Sequence, residues 1–67
     1  MCNVNKFLGK VKEKGYTQET LAAATGISRA TLSRRIKEPK NLTIREIEKI
    51  SNTLQLSGKE AIEIFLQ

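Results

Sequence analysis

The chain has 67 residues, with twelve Lys and Arg against seven acidic residues and a net charge of +5 at neutral pH. A single cysteine, Cys2, and the absence of histidine exclude an intramolecular disulfide and a Cys/His zinc site, and a lone thiol suits a reducing compartment. This length allows one domain, residues 1–67, with one small core near the lower size limit for folding without staples. Apolar packing, helix caps and a partner subunit are then the available sources of stability.

The first predicted helix runs from Asn5 to Lys14. Val4, Phe7, Leu8 and Val11 recur at i, i+3, i+4 and i+7 and build one apolar stripe. Gly15 is placed to end it, because glycine enters the left-handed conformation without a Cβ penalty. Four further starts share one signal: an apolar residue, then Ser or Thr, with a second apolar residue five positions after the first. Tyr16-Thr17 precedes Leu21, Ile27-Ser28 precedes Leu32, Leu42-Thr43 precedes Ile47, and Leu56-Ser57 precedes Ala61. Each pattern fits a hydroxyl N-cap flanked by a hydrophobic staple, and Glu46 and Glu60 complete capping boxes with Thr43 and Ser57. The second helix is expected over Gln18–Thr25, ended by Gly26, and the third over Arg29–Lys37, with Pro39 forcing an exit. The fourth, Ile44–Leu54, is expected to bury Ile44, Ile47, Ile50 and Leu54; the fifth, Gly58–Leu66, is short and rich in Ile and Phe. No stretch alternates at period two, so the fold class is all-α, a compact five-helix domain.

Nothing in Met1–Lys10 reads as a signal peptide and no run approaches a membrane span, which points to a cytoplasmic protein with no membrane partner. Charge is concentrated in one place. Arg29, Arg34, Arg35, Lys37, Lys40 and Arg45 are opposed only by Glu38 between residues 29 and 45, which gives +5; the other six lysines are balanced by six glutamates. Such a footprint suits a polyanion, although a solvated basic face would read the same way.

The footprint begins at the second of two short helices joined by a glycine turn, the unit that sets one helix in the major groove of DNA. From Gln18 to Lys37 the sequence resembles the phage-repressor/Cro-type helix-turn-helix family. The resemblance is carried by Gln18, Leu21-Ala22, Gly26, Ile27-Ser28 and Leu32. It extends more loosely over the last two helices, and implies a lambda-repressor-like fold and a usually dimeric transcriptional regulator. One position departs from the family pattern. The apolar residue expected three positions after Leu32 is Arg35, and Ile36 stands one step later, so Ile36 is expected to fill the core pocket while Arg35 moves to a flank.

With Leu32 and Ile36 turned inward at about 100° per residue, Ala30, Arg34 and Lys37 point outward and Thr31 and Ser33 lie on the shoulders. The resemblance assigns base contacts to Arg29, Ala30 and Arg34, with neighbours assisting. The expected base-contacting set is therefore Arg29, Ala30, Thr31, Ser33 and Arg34. Arginine can donate two hydrogen bonds to guanine and alanine can touch a thymine methyl. For Arg29 and Arg34 a phosphate contact is the competing reading. Phosphate contacts are expected from Gln18, Ser28, Arg35, Lys37, Lys40, Asn41, Thr43 and Arg45. Gln18 and Thr43 stand at helix N-termini that favour an anion, and Thr43 serves equally as a plain cap.

Ile62, Phe65 and Leu66 read as one apolar face of the fifth helix, with Ile64 set away from it. Either this surface packs on the first helix, or Ile62, Ile64, Phe65 and Leu66 form a seam for a second copy or a hetero-partner. The leading function is a Cro-like dimeric regulator of operator DNA, favoured because no separate effector or oligomerisation domain follows the motif. The alternative is an anti-repressor or modulator that uses the same fold to bind another regulatory protein. An enzyme is the poorest reading, since no nucleophile–base pair or metal cluster can be assembled, and neither a metal nor a cofactor is expected.

Overall fold

A computed structural model describes residues 3–66, arranged as five α-helices and one short 3-10 turn. The helices are α1 (Val4–Glu13), α2 (Gln18–Thr25), α3 (Arg29–Lys37), α4 (Ile44–Leu54) and α5 (Gly58–Phe65); the 3-10 turn is Pro39–Asn41. The expected bounds of α2, α3 and α4 hold. Helix α1 begins one residue earlier than expected, because Asn3 caps it and its side chain accepts the Lys6 N–H at 3.1 Å, and it ends one residue earlier, with Lys14 as the C-cap. Helix α5 stops at Phe65 rather than Leu66.

Thr17, Ser28, Thr43 and Ser57 all act as N-caps, each hydroxyl accepting a backbone N–H three residues on. The two expected capping boxes are present, and Thr17 forms a third with Thr20, whose hydroxyl accepts the Thr17 N–H at 2.8 Å. An Ala in place of such a cap typically costs about 1 kcal/mol, so the four starts together are a large share of what a small domain has. Gly15 and Gly26 take positive φ, +85° and +76°, where a Cβ would strain the backbone. Gln55 takes the same left-handed conformation after α4, and the Leu56 N–H returns to the Ser51 carbonyl to close the helix.

Helix α2 packs against both α3 and α4, and α1 against α5. The core joins these pairs: Leu21, Leu32, Ile50, Leu54 and Ile64 are fully enclosed, with Phe7, Val11, Ala22, Ile27 and Phe65 around them. Burying each large aliphatic side chain is worth about 1.5–3 kcal/mol. Phe7 and Phe65 meet with ring centroids 5.9 Å apart, tilted by 50°, and the Asn3 N–H donates to the Ile64 carbonyl at 2.6 Å. These contacts hold α5 on α1.

Two expectations about the core are corrected. Ile44 is 78% exposed. It stands three positions before Ile47 and so extends the i, i+3, i+7 pattern of Ile47, Ile50 and Leu54, but it occupies the first position of α4, one turn beyond where the core reaches. Ile64, read as the residue furthest from the inner face of α5, is 1% exposed, and Phe65 is buried beside it. The inward stripe of α5 is Ala61–Ile64–Phe65, at i, i+3 and i+4, and the outward one is Ile62–Leu66, at i and i+4. Cys2 lies outside the described residues, as does any structural reading of the first two positions.

Candidate nucleic-acid interface

Helix α3 owes its direction to what lies under it. Leu32 is buried, Ile36 is half-buried and packed on the core, and Ile27 anchors the turn before the helix. Gly26 makes the tight reversal, its N–H returning to Ala22, while the Thr25 hydroxyl donates to the Leu21 carbonyl at 2.9 Å and accepts the Ile27 N–H at 3.3 Å. The hydroxyl gives the buried Ile27 N–H, which lies beyond the end of α2, a partner; a buried donor left without one costs about 1–3 kcal/mol. Thr25 was not singled out by its sequence position, and nothing in the motif alone marks it as more than a small helix terminator.

With α3 fixed, Arg29, Ala30 and Arg34 are exposed, and Thr31 and Ser33 are half-buried on the shoulders. The Ser28 hydroxyl donates to Thr31 Oγ1 at 2.8 Å and accepts the Thr31 N–H at 3.1 Å. Arg34 Nη2 donates to the same Thr31 Oγ1 at 3.4 Å, so the Arg34 guanidinium is drawn along the helix toward its N-terminus. The start of α3 thus carries a chain of polar groups, Ser28–Thr31–Arg34, beside the exposed Arg29.

Of the expected phosphate-contacting residues, Ser28, Lys37, Lys40, Asn41, Thr43 and Arg45 are exposed and Gln18 is half-buried. Asn41 Nδ2 donates to Glu38 Oε2 at 3.2 Å. Beside it, Arg34, Arg35, Lys37, Glu38 and Asn41 line a shallow depression of about 210 Å³ at the end of α3. The Thr43 N–H donates to Glu46 and its hydroxyl oxygen accepts the Glu46 N–H, which leaves the hydroxyl proton and the N–H groups that follow to meet an anion.

Arg35 has a protein partner that its sequence position does not announce. It lies on the flank of α3, but its Nε donates to Glu46 Oε1 at 2.9 Å, with the two side chains 26% and 15% exposed. The same oxygen accepts the Thr43 N–H at 2.9 Å. Burial pushes the Glu46 carboxyl up, and the hydrogen bonds from Thr43 and Arg35, with the Arg35 charge, outweigh it and hold the group below the usual carboxylate range. Glu46 was legible as a cap but not as an arginine partner.

A two-helix unit with one helix buried along its inner side and a basic outer side is a DNA-binding helix-turn-helix. The helix-turn-helix family model matches residues 10–60, more than half of the chain, and the protein belongs to that family of DNA-binding regulators. No curated protein and no solved structure matches the chain. Among the described residues no helix is long and apolar enough to cross a membrane.

Proposed function

We propose that the protein is a sequence-specific transcriptional regulator of the Cro/repressor kind. In this reading α3 enters the major groove and two copies bind a palindromic operator. The observation that carries it is the outward face of α3, where Arg29, Ala30 and Arg34 stand exposed over a buried Leu32 and within the window that holds the whole net charge. Arg29, Ala30, Thr31, Ser33 and Arg34 read bases; Gln18, Ser28, Lys37, Lys40, Asn41, Thr43 and Arg45 hold phosphates. Self-association uses Ile62 and Leu66, which are 51% and 69% exposed, since Ile64 and Phe65 belong to the core.

The test is selection of duplexes from a randomised pool, followed by titration of the enriched sequence at several salt concentrations. A palindromic consensus with half-sites about one helical turn apart, ~34–36 Å, is expected. Affinity should fall by roughly 10³–10⁵ between about 50 and 200 mM salt if a dimer neutralises some six to ten phosphates. A flat salt response and no enrichment would favour the second reading, a modulator that binds another regulatory protein. The observation behind that reading is the exposed apolar set Ile44, Ile62 and Leu66.

A further inference from the structure

Of the six cations between residues 29 and 45, Arg35 is the one with a carboxylate partner among the described residues. It is also half-buried, whereas Arg29, Arg34, Lys37, Lys40 and Arg45 are exposed. A cation that neutralises phosphate needs its charge available; this one is already opposed by Glu46 from the next helix. The Arg35 side chain leaves α3 three residues after the buried Leu32, on the flank that faces the start of α4. There it meets an oxygen that is itself fixed, because Glu46 Oε1 is held by the Thr43 N–H as part of the cap. The bond therefore ties the last turn of α3 to the N-terminus of α4 across the 3-10 turn, at a point where Ile36 is only half-buried.

We propose that Arg35 and Glu46 are positioning residues. Their ion pair sets the rotation of α3 about its axis, and so the angle at which Arg29, Ala30 and Arg34 reach base edges, and it contributes nothing directly to phosphate binding. The inference rests on the DNA-binding reading above. It assigns Arg35 a role different from the phosphate contact that its sequence position suggests, and it gives Glu46 a role in DNA reading although its charge is repelled by DNA.

The two roles for Arg35 give opposite signs in one experiment. The probes are the duplex enriched by the parent protein and a scrambled duplex of equal length, each titrated across salt, with circular dichroism to follow folding. Glu46→Gln keeps an amide oxygen for the Thr43 N–H, since Gln serves in a capping box, and removes the charge that holds Arg35. As a positioning pair, Glu46→Gln weakens binding to the enriched duplex by roughly tenfold, on the order of one mismatched base pair, and does not weaken the scrambled duplex. Arg35→Gln does the same, with the salt slope of the parent retained. If Arg35 is a phosphate contact, Glu46→Gln instead tightens binding to both duplexes. Arg35→Gln then weakens both alike, and the slope drops by about 0.9 for each phosphate lost. That pattern overturns the inference while leaving DNA binding intact. Failure of the parent to enrich any duplex overturns the function itself, and the inference with it. Should Arg35→Gln lose its helix signal, Glu46→Gln alone decides by the sign of its effect.

Discussion

Helices α4 and α5 begin in the same way and are latched to different partners. Each opens with a capping box whose glutamate reaches back to the cap N–H, Glu46 to Thr43 and Glu60 to Ser57, both at 2.9 Å. Each glutamate also holds a cation from another helix: Glu46 binds Arg35 of α3, and Glu60 binds Lys10 of α1 through Oε2 at 2.7 Å. Lys10 is shared with Glu13 at 3.1 Å, whereas no second carboxylate lies on Arg35 among the described residues. The α3–α4 latch uses one oxygen for two donors and is the more enclosed; the α1–α5 latch divides the work between two oxygens.

The difference shows in their titration. Lys10, then the Ser57 N–H, hold the Glu60 carboxyl down to about 2, each outweighing the opposing effect of burial. For Glu46 burial is the largest influence and acts upward, so a comparable set of bonds achieves less. Enclosure therefore makes the α3–α4 pair electrostatically less favourable than the α1–α5 pair.

The severest way to break this comparison is Ile64→Glu. It places an unpaired charge in the α1–α5 half of the core, at a cost of about 3–5 kcal/mol, on the order of the whole stability of a domain this size. Circular dichroism should show an unfolded chain, whereas Ile62→Glu, one residue class outward, should keep its helices. Retained helix in Ile64→Glu would mean that α5 is not part of the core.

Next comes Arg34→Ala, which touches the reading face and neither latch. Binding should weaken by about 1–3 kcal/mol at one base position in each half-site, with the melting temperature nearly unchanged. An equal loss for every duplex would instead make Arg34 a phosphate contact.

The smallest effect sharpens the contrast between the latches. The folded Glu60 carboxyl titrates below its ordinary value of 4.5, so its contribution to stability is present above about pH 4.5 and is lost as pH falls toward 2. Lys10→Met removes the main cause of that depression. Urea midpoints measured between pH 5 and pH 2.5 should then fall less steeply than in the parent; an unchanged slope would show that the bridge adds nothing in solution.

Most of the fold was legible because its signals are local. A cap acts over three residues, so Thr17, Ser28, Thr43 and Ser57 announce their helices without knowledge of the rest of the chain. The outward side of α3 was legible for a similar reason, since the spacing of Leu32 and Ile36 already tells which side faces the core. What failed depended on distance. Glu46 lies just beyond the basic window, so counting charge up to Arg45 hid the partner of Arg35. Ile64 and Ile44 were misplaced because a periodic pattern shows which residues share a stripe, but not how far the core extends or which of two adjacent stripes it meets. Glu60 could be seen as a cap, while its partner Lys10 stands fifty positions away in number and in another helix.

The hydroxyl of Thr25, which bridges the end of α2 and the start of the turn, has a kinetic consequence. Together with the caps of α2 and α3 it builds the turn and helix starts of this unit out of contacts two to four residues apart. Such contacts close only short loops, and chains rich in them cross the folding barrier in microseconds to milliseconds. The helix proposed to meet DNA thus begins from the quickest-forming interactions in the molecule.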